Sequence, residues 1–191
     1  MGVPKNCKQL DPAKKVRIKI DTKGNVLYVN NYFTAVTKLK ITDVILKDLG
    51  SLFDSDMPKM ASNFILDELK NDNSYIIFKG RVKGNECYWG FAKSITEYNN
   101  FNEVKGYLLE VKMLPSKAIS KMERLYDILK EIENNAGLSA AEKYFYGYVE
   151  DKGMRMEDFI LNIAEVNQKQ AEKYFEIDED APVKKKKRSW F

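Results

Sequence analysis

Between residues 74 and 114 the chain runs through SYIIFKGRVKG, ECYWGFAKSITEY and EVKGYLLEVKML, three stretches rich in β-branched and aromatic residues with short turns between them. Strands joined by so few residues can pair only with antiparallel neighbours, because a parallel pairing needs a crossover of about a dozen residues. The stretch therefore predicts a three-strand meander. Upstream, VRIKID (16–21) alternates apolar and charged residues as a half-buried strand does, TKGN (22–25) supplies turn residues, and VLYVN (26–30) follows as a second strand. Short helical or irregular pieces lie between the hairpin and the meander. The last of them, MASNFILDELKND (60–72), places Phe64, Ile65, Leu66 and Leu69 on one helical stripe. Two strands, a group of short helices and three strands predict an α+β domain with helices packed on one face of a five-stranded antiparallel sheet.

After Pro115 the pattern becomes helical. Residues 116–135 set Ile119, Met122, Leu125, Tyr126, Leu129 and Ile132 three and four apart, with Ser116 as a candidate N-cap and NNAG (134–137) as a stop. Helices are expected at about 139–151 and 155–175, broken at Gly153. The expected organisation is an N-terminal extension (1–15), the α+β domain (16–115), a signalling or dimerisation helix (116–135), additional helices (136–176) and a disordered acidic-then-basic tail (177–191).

The 191 residues contain no histidine, which removes an imidazole base, an imidazole metal ligand, a His-ligated haem and a phosphoaccepting His. No glycine-rich phosphate loop, no nucleophile beside a base and no acidic cluster at metal-binding spacing is present, so no enzymatic activity is expected. Cys7 and Cys87 are too few for a disulfide framework and read as two free thiols, with Cys87 inert, in a reducing compartment. With no membrane-length apolar run and no signal-peptide core, the expectation is a cytoplasmic protein. The net charge of +4 becomes −1 once Lys184, Lys185, Lys186, Lys187 and Arg188 are set aside, so no basic face for nucleic acid is expected on the fold. The 184–191 segment, which ends in Trp190 and Phe191, reads as a solvated tail or as a weak contact to an anionic membrane surface.

The order of elements, with GNVLYVNNYF (24–33), DMPK (56–59), YW (88–89) before an alternating strand and GYLLEV (106–111), resembles a PAS sensory domain. Within that superfamily it is most similar to the PAS domain of bacterial aerotaxis receptors and their short soluble relatives, over about residues 16–133. The resemblance implies a five-stranded antiparallel sheet with a ligand cleft between its concave face and the short helices. It also implies FAD in that cleft as a redox or energy sensor, and signalling through protein contacts. The family's flavin pattern has an Arg-His pair just ahead of the Asp-Met-Pro, where Phe53 and Asp54 stand here; a Trp at the start of the third strand is Tyr75 here. Asn30 and Asp56 match. The missing pair would have supplied donors to a buried pyrophosphate.

Six residues are candidates for the cleft: Asn30, Phe33, Phe53, Asp56, Tyr75 and Trp89. Each has a plainer reading. Asn30 at a strand end can cap a helix; Ser55 or Asp54 can cap the helix that follows, with Asp56 favouring its positive end and Pro58 in its first turn. The aromatic residues serve equally well in a filled core. Tyr88 and Trp89 must point to opposite sheet faces, so only one of them faces the cleft. The expectation is a stand-alone PAS-type sensor that binds a small ligand and signals through residues 116–135 to a second copy or to a transducer such as a chemotaxis receptor. The alternative is a ligand-free PAS interaction module acting as a signalling adaptor.

Overall fold

The computed structural model describes residues 7–176. The tail readings for 177–191 lie outside the described residues. The expected hairpin is present as β2 (Val16–Asp21) and β3 (Val26–Val29). Its turn is set by the Asp21 carboxylate, which accepts the backbone N–H groups of Lys23 and Asn25, while Gly24 takes a φ of +91°. The meander follows as β4 (Tyr75–Arg81), β5 (Cys87–Tyr98) and β6 (Val104–Met113). Strands β3, β2, β6, β5 and β4 lie side by side in that order, each antiparallel to the next. The first and last segments thus meet at the centre, with Val16 opposite Val111 and Asp21 opposite Gly106.

The N-terminal extension adds a sixth strand. Cys7–Lys8 (β1) runs parallel to β5 at Cys87 and Tyr88, taking over the edge where β6 has ended at Met113, opposite Gly90. The expectation of two free thiols is corrected here, because Cys7 and Cys87 form a disulfide across 80 residues of sequence. Two cysteines so far apart give no sign of pairing until the strand register brings their Cα atoms to 4.3 Å. The reducing compartment inferred from free thiols loses its premise.

Period-two alternation divides the sheet into two faces. The first carries Ile18, Ile20, Phe78, Tyr88, Ala92, Leu109 and Val111, all buried. It is covered by α1 (Asn31–Thr37), α2 (Ile41–Val44), a 3-10 turn (Leu49–Leu52) and α3 (Lys59–Glu68). Isolated bridges from Asn25 to Asp48 and from Phe53 to Gly80 tie this segment to opposite sides of the sheet. The second face carries Tyr75, Ile77, Trp89, Phe91 and Lys112, also buried. Over it lie helices of the C-terminal part: α4 (Ser116–Ala136), α5 (Leu138–Asp151), α6 (Met156–Ile163) and α7 (Gln168–Glu176). The apolar stripe of α4 folds back within the chain, with Met122, Leu125, Tyr126 and Leu129 buried.

The helix expected over 155–175 is two helices. Glu165 takes a φ of +61°, which ends the first. Asn167 and Gln170 then cap each other reciprocally, each side-chain oxygen accepting the other's backbone N–H at 2.9 Å, and start the second. Helix α7 is fastened at its end by Lys112 of β6 and by Lys15, which immediately precedes β2. Buried Lys112 donates to the Tyr174 carbonyl at 3.1 Å, and buried Lys15 donates to the Phe175 carbonyl. Cations suit the exposed carbonyls of a helix C-terminus.

Candidate functional site

The six residues predicted for one cleft do not meet there. Phe33 and Phe53 are buried on the short-helix side, with the Phe53 ring 5.5 Å from Phe78. Tyr75 and Trp89 face the opposite side of the sheet: Trp89 lies 5.2 Å from Tyr126 of α4, and Tyr75 packs against Phe91 and Phe175. Their strand register decides this, because Tyr75 and Trp89 share a face with Ile77 and Phe91, which the C-terminal helices cover.

Asn30 is committed to backbone. Its Oδ1 accepts the N–H groups of Phe33 (3.1 Å) and Arg17 (3.0 Å), and its Nδ2 donates to the Lys15 carbonyl at 2.9 Å. It therefore caps α1 and fixes that helix to β2, as the capping reading held. It also lines an open groove of ≈ 650 Å³ beside β3, with Tyr28, Tyr32 and Ile41. Asp56 is half-exposed between Lys79 of β4 (3.9 Å) and Lys130 of α4 (3.8 Å).

Pro58 stands at the N-cap of α3 and supplies no side-chain cap. That task falls to Glu133 of α4, whose carboxylate accepts the N–H groups of Lys59 (3.0 Å) and Met60 (2.6 Å). Asp54 instead stabilises the preceding turn, its Oδ1 accepting the Asp56 N–H at 3.0 Å. The local sequence offered Asp54 and Ser55 near the helix start, whereas the acceptor that takes these N–H groups lies 73 residues downstream of Met60.

The cleft belongs to Tyr88, the residue of the YW pair that the sequence could not place. Its ring is wholly buried and lies against Gly80, where an added Cβ would come within 2.2 Å of the ring carbons. Phe78 meets it edge-on at 5.9 Å. A Cβ on the other glycine of this face, Gly90, would come within 2.4 Å of Val111. The two glycines let aromatic and β-branched side chains close down on the sheet. Thr37 and Ser94, buried on this side, donate to the carbonyls of Phe33 and Leu69. The Tyr88 hydroxyl is buried with no hydrogen-bond partner. Burial pushes the Tyr88 and Tyr126 phenols well above the ordinary tyrosine range. Tyr75 is also raised, by burial first and then by Glu172 and Glu157.

Flavin can be tested against this arrangement. A buried isoalloxazine and pyrophosphate need several donors and acceptors to replace their water. The cleft presents one unpartnered hydroxyl, and the Tyr88 ring fills the space above Gly80. Asn30 has its side chain engaged, and no Arg-His pair precedes Asp56. With the Tyr88 ring seated on Gly80 the residues do not fit a flavin, which would enter only with that ring displaced. Among the described residues no group of three or more His, Cys, Asp or Glu side chains could hold a metal, and no helix is long and apolar enough to cross a membrane.

The sequence matches no protein-family model and no curated protein. Solved structures do match. A Light-Oxygen-Voltage domain studied with a flavin analogue aligns at 15% identity and a TM-score of 0.50, over 59% of this chain and 88% of that one. The light-state structure of the blue-light photoreceptor Aureochrome1 LOV aligns at 10% identity and a TM-score of 0.50, over 63% of this chain and 94% of that one. The chain has the PAS/LOV fold.

Proposed function

We propose that this protein is a non-catalytic PAS-type sensory module that passes its state to a protein partner through α4. The observation that carries the reading is the Tyr88–Trp89 pair. These are successive residues of one strand, one ring filling the cleft and the other resting on Tyr126 of α4. Alternation makes the two faces parts of one rigid backbone, so a displacement of Tyr88 reaches the seat of α4. A molecule that draws Tyr88 out of the cleft shifts α4 only by as much as its affinity differs between the two arrangements. It would carry an acceptor for the Tyr88 hydroxyl. FAD, the ligand that the aerotaxis-type resemblance implies, is the first to try, and FMN the second. The partner is a second copy or a transducer of the chemotaxis-receptor kind.

A second reading is favoured by the closed cleft: a ligand-free adaptor in which Tyr88 permanently replaces a ligand. One experiment separates the two. The purified protein is incubated with FAD or FMN and gel-filtered, and its absorbance and tryptophan emission are recorded. Flavin bands that survive filtration and bleach with reductant establish the sensor. A featureless spectrum with unchanged emission leaves the adaptor.

A further inference from the structure

We infer that Cys7 and Cys87 form a thiol–disulfide exchange site for a dithiol reductant, a reversible fastening for the first strand. The two sulfur atoms differ in access. Cys87 has no exposed surface and lies between β1 and β4. Cys7 is half-buried on a strand of two residues. An incoming thiolate therefore reaches the Cys7 Sγ, and Cys87 is the leaving group.

The bond fastens little else. Strand β5 is held along its length by β4 and β6, whereas among the described residues β1 adds only the pairs at Cys87 and Tyr88. Beside the disulfide the segment has the Lys8–Glu86 ion pair at 2.8 Å, between partly exposed side chains, and a contact from Gln9 to the Met113 sulfur at 3.2 Å. The next anchor is Leu10, which is buried, and after it the Asp11 N–H donates to the Tyr32 hydroxyl at 2.6 Å. Reduction thus frees residues 7–9 and opens the β5 edge, while the core stays closed. The event lies two residues from Trp89, on the same face.

The chemistry balances as follows. The first thiolate of the dithiol attacks Cys7 Sγ; the Cys7–Cys87 bond breaks, and its electron pair leaves on Cys87 Sγ, which takes up a proton. The second thiolate attacks the reductant's own sulfur in the mixed disulfide, closing a cyclic disulfide and expelling the Cys7 thiolate, which is protonated in turn. Two electrons and two protons pass from the dithiol to the protein. The inference stands whether or not the cleft binds a ligand.

The test compares the rate at which dithiothreitol reduces the full-length protein in native buffer and in urea, read by alkylation and mass spectrometry, with circular dichroism followed in parallel. A native rate within about a thousandfold of the unfolded rate, at unchanged secondary structure, is the expected result, since local opening is far less costly than global unfolding. A lower rate that tracks global unfolding overturns the proposal and makes the bond a permanent staple. Glutathione, a monothiol, should give its mixed disulfide on Cys7. An adduct on Cys87, or two free thiols in the air-equilibrated protein, overturns it equally.

Discussion

Tyr88 depends on the absence of a side chain at Gly80. Gly80→Ala should lower stability by about 1–3 kcal/mol, since the ring above it has to shift in a closed core. Tyr88→Phe removes a buried hydroxyl that has no partner, and should be neutral or stabilising by up to about 1 kcal/mol. Urea titration of both variants checks the pair of signs. Tyr88 and Tyr126 also set an alkaline limit. Their folded pKa values are raised above the unfolded value of about 10, so the folded state holds these protons more tightly. The stability this gives is complete below that pH and is lost as pH rises beyond it. Each phenol contributes a slope of about 1.4 kcal/mol per pH unit there. Tyr88→Phe and Tyr126→Phe should each flatten the curve above pH 10, as measured by urea midpoints. At this scale the sequence was half legible. Alternation placed Tyr88 and Trp89 on opposite faces, but choosing the cleft face required the β4–β5 register.

Helices α3 and α4 are joined where the Glu133 carboxylate meets the first N–H groups of α3. Glu133→Ala should cost about 1–2 kcal/mol, a cap and a favourable charge at the helix start lost together. Hydrogen exchange should quicken in the first turn of α3. Unchanged exchange there would mean that water replaces the carboxylate without loss. The strands of the hairpin and meander were legible because alternation and turn residues agree. The start of α4 at Ser116 follows the same logic, being marked by Pro115 and a change of period. The break between α6 and α7 is written in the sequence as Asn167 and Gln170, a reciprocal cap three residues apart. The cap from Glu133 had no local signature, being long-range.

Across the whole molecule, one sheet is covered on both faces, and the disulfide joins its first strand to the start of β5. Closing a loop across 80 residues removes unfolded-state entropy worth about 4.5 kcal/mol on the chain-entropy account. Cys87→Ser should lower the urea midpoint by a corresponding amount while the circular dichroism of the folded state is retained. Loss of the folded signal in water would mean that the remaining core is insufficient. The PAS order of elements was legible from the meander and hairpin alone. What covers the second face was not, because amphipathic helices announce that they pack without saying on what. That cover also separated Tyr75 and Trp89 from the other candidates.

The fit between Gly80 and Tyr88 has a consequence for descent. The two positions are not free to drift separately: a chain that acquires alanine or serine at 80 must first, or soon after, reduce the ring at 88. Among relatives of this protein, positions 80 and 88 should therefore covary, with a side chain at one accompanied by a small residue at the other. Lineages that have made both changes would be those in which the cleft has reopened.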